Sequence, residues 1–274
     1  MKQKIMKRIG YLIFVLLITL PGCGQKAEEF FKSGLTKYNL QDYKGAIKDY
    51  SKAIELDQKY AFAYLNRGAS KYNLKDYTGA IADYNKSIEL NPTDGDAYCN
   101  RGEAKCDLKD YTGAIADYNK SIELNPKNAF AYCNRGVAKY DLQDSRGAIA
   151  DYSKAIELNP RYALAYNDRG VAKSNLQDYR GAIEDYSKAI ELDPENAMPY
   201  NGRGASKDDL QDYKGAIEDY SKAIELNPKS AHAYYNRGLT KIELGQKESG
   251  CLDLSKAGEL GLSEAYEAIK KHCQ

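Results

Sequence analysis

The sequence predicts an all-α protein in which one helix pair is repeated along the chain. Three observations carry this expectation. First, text recurs at a fixed interval. Pro92, Pro126, Pro160, Pro194 and Pro228 stand one period apart, and so do Gly34, Gly68, Gly102, Gly136, Gly170, Gly204 and Gly238. A period in the range of roughly 20–50 residues marks an array of structural units. Second, within the unit 163–196 the residues Ala182, Ile183, Tyr186, Ala189 and Ile190 fall at helical spacing and make one apolar stripe. Third, that stripe is punctuated at both ends. Asp178 stands before it as an N-cap, and Asp193-Pro194 closes it, because the residue before proline is pushed out of the helical region.

The first element in the chain is an export signal. Lys2, Lys4, Lys7 and Arg8 form a basic head without acids, Ile9 to Leu20 is a 12-residue apolar run, and Leu20-Pro21-Gly22-Cys23 follows at once. A basic head, a short apolar run and a small-residue cleavage site make a secretory signal peptide. The run is shorter than the ~20 apolar residues of a spanning helix. Ordinary secretion and an uncleaved anchor remain the alternatives. The Leu-x-Gly-Cys ending resembles the lipobox of bacterial lipoproteins. That resemblance implies a signal peptide at 1–22 and cleavage before Cys23, which would become the lipidated (palmitate-bearing) first residue, with 23–26 as lipidated N-terminus and short linker. Acyl chains contribute ~0.8 kcal/mol per buried CH2, so several on one residue would hold firmly. Gly24, standing where diderm lipoproteins retained at the inner membrane carry Asp, leans by the same resemblance toward the outer membrane. The expected location is the bacterial cell envelope. No Gly/Ser or Pro-rich stalk follows Cys23, so the array is expected close to the membrane surface.

Each unit reads as two helices. The second is the stripe above, with Asp42, Asp76, Asp110, Asp144 and Asp212 repeating the cap of Asp178. The first, Leu164 to Leu176, has Ala165, Ala172 and Leu176 on one side and Tyr166 with Gly170 on another, as a helix with two packing partners requires. Gly170 lies mid-helix, where glycine costs about 1 kcal/mol relative to alanine. Its recurrence in every unit implies close helix–helix approach.

Tyr166, Gly170, Ala182, Tyr186, Ala189 and Pro194 occur in the order and spacing of the tetratricopeptide repeat signature. On these residues the chain resembles that family over 27–264. The resemblance implies a right-handed α-solenoid of about seven repeats: 27–60, 61–94, 95–128, 129–162, 163–196, 197–230 and 231–264. Gln58 replaces proline in the first unit, and Gly250, Leu254 and Leu262 replace Ala, Tyr and Pro in the last. Atypical end units suit a solenoid whose ends face water. Residues 265–274 are expected to form a C-terminal capping helix.

Charge and cysteine content limit the function. Without the four N-terminal cations, 36 of the 40 basic residues face 39 acidic ones. That balance provides no basic stripe for nucleic acid. Arg67 and its equivalents, with Lys71 and its equivalents four residues on, read as an ion network with the acids of the second helix, not as an anion ladder. Cys99, Cys106 and Cys133 read as packing residues, since equivalent helices should stand ~8–10 Å apart, beyond disulfide reach. Cys251 and Cys273 are candidates for a disulfide that pins the cap, in an oxidising compartment. His232 and His272 have no cluster around them, so no metal and no cofactor is expected. The recurrent glycine at Gly45, Gly79, Gly113, Gly147, Gly181 and Gly215 has no evident role in the sequence alone.

No catalytic motif is present, so the chain is not expected to be an enzyme. The second helices are nearly fixed text, and the first helices diverge. In tetratricopeptide arrays the first helix lines the concave surface, which binds extended peptides or partner helices. Projected onto this chain, the candidate peptide-binding surface is Phe31, Tyr38, Phe62, Leu65, Asn66, Tyr72, Asn100, Phe130, Asn134, Val137, Tyr140, Asp168, Val171, Met198, Tyr235 and Asn236. Asn66 and its equivalents could bond a peptide backbone without demanding sequence. Leu35, Ala69 and Val137 stand where the clamp for chaperone carboxylate tails would need asparagine. The expected function is a non-enzymatic scaffold or assembly factor that binds an unidentified protein or peptide. The alternative is a structural, self-associating envelope protein.

Overall fold

The computed structural model describes residues 21–274. The signal-peptide expectation therefore lies, for residues 1–20, outside the described residues, and the side chain of Cys23 is not described either. Among the described residues there are fifteen α-helices and no strand. The chain divides into two units, one ending at Leu90 and one spanning Asn91–Gln274.

The first unit holds two helix pairs: α1 (Pro21–Asn39) with α2 (Tyr43–Leu56), and α3 (Ala61–Asn73) with α4 (Tyr77–Leu90). Residues 23–26, expected as a linker, lie inside α1 instead. Two features of the sequence explain this. Pro21 sits at the first helical position, where its missing N–H costs nothing, and Gln25-Lys26-Ala27-Glu28 are good helix formers. Ala27 is already buried.

The second unit holds five pairs: α5 (Gly95–Asp107) with α6 (Tyr111–Leu124), α7 (Ala129–Asp141) with α8 (Ser145–Leu158), α9 (Ala163–Asn175) with α10 (Tyr179–Leu192), α11 (Ala197–Asp209) with α12 (Tyr213–Leu226), and α13 (Ala231–Glu243) with α14 (Lys247–Glu259). The capping helix α15 (Glu264–His272) follows and starts one residue before the expected boundary. The odd-numbered helices are called A and the even-numbered ones B below. In the second unit each helix packs on the next in sequence, and each A helix also touches the following A helix, from α5–α7 to α13–α15. This is the stacking of a solenoid, in which each repeat contacts only its neighbours.

The turn between A and B is built from three residues. In the pair α5–α6, the Asp110 N–H donates to the Lys105 carbonyl and the Lys109 N–H to the Cys106 carbonyl. These are the two bonds of a Schellman C-cap. Lys109 takes the left-handed conformation this cap needs, with φ 63°. The Asp110 carboxylate then accepts from the Gly113 N–H at 3.0 Å and caps α6. One aspartate thus closes one helix and opens the next. This geometry also accounts for the recurrent glycine. A Cβ on Gly113 would stand 2.2 Å from the Asp110 carboxylate, and every equivalent glycine shows the same clash.

The core is small-residue and layered. Alanines such as Ala114, Ala131, Ala138 and Ala148 are fully buried, and each B helix of the middle repeats contributes one large buried ring, Tyr118, Tyr152 or Tyr186. The ring lies on the mid-helix glycine of its A partner. A Cβ on Gly136 would be 2.7 Å from Tyr152 Cε1. The last pair departs in a compensated way. Leu254 replaces the tyrosine, and Gly250 replaces alanine where Ile242 now fills the space, within 2.7 Å of a Gly250 Cβ. A disulfide joins Cys251 of α14 to Cys273 at the end of α15, with Cα atoms 5.8 Å apart.

Candidate functional site

The recurrent cations of the A helices are engaged within the stack. Arg135 Nε and Nη2 donate to Asp151 at 2.9 and 2.6 Å, and Lys139 Nζ lies 2.7 Å from the same carboxylate. Asp151 is buried, so this charge has its partners in place, as a buried ion requires. Arg135 Nη1 reaches back to Asn119 on the preceding B helix at 2.6 Å. Arg169, Arg203 and Arg237 reach back in the same way to Ser153, Ser187 and Ser221. Each guanidinium also lies over the ring three residues earlier, as Arg135 does over Tyr132 at 5.4 Å. These side chains tie one repeat to the next and present no basic ladder to a ligand.

What the A helices leave uncovered is another stripe. Residues 130, 134, 137 and 141 of α7 share one face by helical spacing. Phe130 is 61 % exposed, Met198 at the equivalent place in α11 is 59 % exposed, and Leu164 in α9 and Phe62 in α3 are exposed too. Between α5 and α7 this face forms an open recess of about 320 Å³, lined by Asp96, Cys99, Asn100, Glu103, Asn128, Phe130 and Asn134. Three residues of the sequence-derived surface, Asn100, Phe130 and Asn134, are brought together here.

Other residues of that surface are placed elsewhere. Phe31 is half-buried and stacks on Tyr50 and Tyr60, at 5.7 and 4.9 Å between centroids. It is a packing residue. Tyr140 packs against the core cluster around Tyr152. Tyr38 and Tyr72 each stack on the tyrosine that begins the following B helix, Tyr43 and Tyr77. The asparagines are not a uniform ladder: Asn66 donates to its own helix, at the Phe62 carbonyl, and Gly202 occupies the equivalent place in α11. Leu65, Tyr235 and Asn236 are half-buried. Leu164 lies outside the sequence-derived surface, yet it is the second residue of its A helix, as Phe130 and Met198 are of theirs, so register counted from the start of each A helix identifies it.

The thiols in and beside the recess are held in their neutral form. Burial pushes the Cys99 and Cys133 thiols up to about 12, so both are protonated at neutral pH, whereas a reactive cysteine needs its thiolate. Burial also raises the Asp168 carboxyl, partly offset by the amide of Asn167, which donates at 3.0 Å. Among the described residues no group of three His, Cys, Asp or Glu could hold a metal, and no helix is long and apolar enough to cross a membrane.

Three family models match the chain. One described as TPR repeat covers residues 34–75, 102–143 and 209–245. Two described as tetratricopeptide repeat cover 61–94, 129–162 and 163–196, and 83–116. No curated protein matches by sequence. Among solved structures the chain is similar to MamA, at 27 % identity and a TM-score of 0.56 over 62 % of this chain and 93 % of that one. It is similar in fold to a tetratricopeptide repeat protein from Parabacteroides merdae, at 22 % identity and a TM-score of 0.68 over 90 % of this chain and 97 % of that one. It is likewise similar in fold to YrrB, described as a TPR protein with an unusual peptide-binding site, at 23 % identity and a TM-score of 0.56 over 67 % and 95 % of the two chains.

Proposed function

The chain belongs to the tetratricopeptide repeat family, and from that premise we propose that it is a non-enzymatic scaffold that binds a protein partner on its A-helix face at the bacterial envelope. The observation that carries this is the recess between α5 and α7, where Phe130 stands exposed beside Asn100 and Asn134. An apolar anchor flanked by amides that bond backbone is the pattern of peptide recognition. The cations and buried tyrosines of the repeat are consumed by packing, so the divergent A-helix side chains are what remains for a partner.

The envelope part of the proposal rests on the basic and apolar residues before Cys23. The disulfide between Cys251 and Cys273 is in keeping with it, since such bonds persist in oxidising compartments. A lipidated Cys23 would hold the array at the membrane surface.

Affinity capture from detergent-solubilised envelopes tests the scaffold. A distinct partner should be recovered and then lost from a Phe130→Ala, Asn134→Ala double variant. Sedimentation as a defined homo-oligomer with no partner would instead favour a self-associating structural protein. The anchor is tested by detergent-phase partitioning: Cys23→Ala should move the chain to the aqueous phase, and unchanged partitioning would refute lipidation.

A further inference from the structure

The A-helix face of the second unit is sorted by charge. Residues two, six, nine and thirteen of each A helix lie on the stripe that carries Phe130, Leu164 and Met198. In the same registers stand Asp96, Glu103, Asp107, Asp141, Asp168, Asp209 and Glu243, and not one lysine or arginine. The chain as a whole is nearly balanced, at 40 basic against 39 acidic residues, so this is local segregation. The cations of the same helices occupy other registers, where B-helix aspartates hold them: Arg169 and Lys173 on Asp185, Arg203 and Lys207 on Asp219. Successive A helices touch, which sets them ~8–10 Å apart. That is about one Debye length at physiological salt, so their carboxylates act on a ligand together. In the first unit, α3 presents Phe62, Asn66, Ala69 and Asn73 in these registers and carries no charge there.

We propose that the A-helix face of the second unit docks a basic amphipathic protein segment. Its apolar side chains would seat on Phe130, Leu164 and Met198, and its lysines or arginines would meet the flanking carboxylates. This rests on the reading of the A-helix face as the partner-binding surface and names the chemistry of the partner. An acidic segment would bring like charges together. A neutral apolar one would desolvate the carboxylates without pairing them, which is unfavourable. Nucleic acid is repelled by the same field.

The test uses the chain from Cys23 onward and three short peptides of one amphipathic pattern, with leucine on one face and lysine, glutamine or glutamate on the other, in fluorescence anisotropy. The lysine peptide should bind about tenfold or more tightly than the glutamine peptide at low salt, and the glutamate peptide weakest. The gap should shrink at about 0.5 M salt. It should also shrink in an Asp141→Asn, Asp168→Asn, Asp209→Asn variant. Each of these changes is benign for folding, because a sister repeat carries asparagine at the same register, Asn175 or Asn134. A control variant with Glu157→Gln, Glu191→Gln and Glu225→Gln on the B helices should leave the gap intact. Equal binding of the lysine and glutamine peptides would overturn the proposal, and so would equal weakening by the A-helix and B-helix variants. In either case, binding of the glutamine peptide that is lost on Phe130→Ser would leave the A-helix face standing as a partner surface. Failure of all three peptides to bind would remove both.

Discussion

At the A–B turn of every pair but the last, where Gln246 makes no side-chain cap, a single aspartate works at both ends of the loop. Asp110 donates its N–H to close α5 and accepts with its carboxylate to open α6, and the price is a glycine at residue 113 and a left-handed residue at 109. Five of the six non-glycine residues in that conformation can be compared directly, because Lys75, Lys109, Gln143, Gln177 and Gln211 all show φ of 63–65°. Side chains are disfavoured there by about 1–2 kcal/mol, and the last pair uses Gly245, with φ 83°. Gln143→Gly should therefore raise stability by up to about 1 kcal/mol, after glycine's own chain entropy is subtracted; the urea midpoint measures it, and an unchanged or lowered midpoint would contradict it. Asp168 behaves differently. Burial raises its carboxyl in the folded chain, so between its ordinary value and the raised one the folded state holds the extra proton. Stability then falls as pH rises through that window, and the ionised form carries the cost at neutral pH. Asp168→Asn should raise the melting temperature at pH 7, with the advantage fading as pH approaches 3.8, the ordinary value; a gain independent of pH would count against this account.

At the scale of the element, two devices set the distance between the helices of a pair. The mid-helix glycine lets the B-helix tyrosine lie directly on the A-helix backbone, and the buried aspartate gathers the arginine and lysine of its A partner. The first was legible as a recurring Gly–Tyr pair. The second was legible only as a set of matching charges, because sequence spacing does not show that Asp151 is buried while Glu157 is exposed on the same helix. That difference decides their weight. Exposed pairs such as Lys154–Glu157 contribute about 0–1 kcal/mol, but Asp151→Ala strands two cations beside the core. It should cost about 3 kcal/mol or more, read by chemical denaturation of the whole chain, whereas Glu157→Ala should fall within about 0.5 kcal/mol of the parent.

At the scale of the molecule, repeats stabilise one another only through neighbours, so the array has weak points at its ends. The C-terminal end is closed by α15, held by the buried Ala265 and Ala268 and by the bond between Cys251 and Cys273. Closing a loop of that sequence separation contributes about 3 kcal/mol in the chain-entropy account. Reduction should therefore raise hydrogen exchange in α15 and α14 and leave the repeats around α9 protected. Uniform loss of protection across the second unit would show that the cap is coupled to the whole stack.

The sequence by itself determined the period, the helix pairs, their caps and the family, because each of these is a local pattern written many times over: stripe, cap, glycine and proline at fixed offsets. Repetition averages away the errors that single patterns suffer. Only the tertiary structure decided the rest. It turned Phe31 and Tyr140 from surface into packing, explained Gly113 through a carboxylate three residues earlier, and carried α1 back through the expected linker. It also brought Asn100, Phe130 and Asn134, which lie on two different helices, around one recess. Those outcomes depend on which face of a helix its neighbours cover, and the distance between helices fixes that, not the order of residues along one of them.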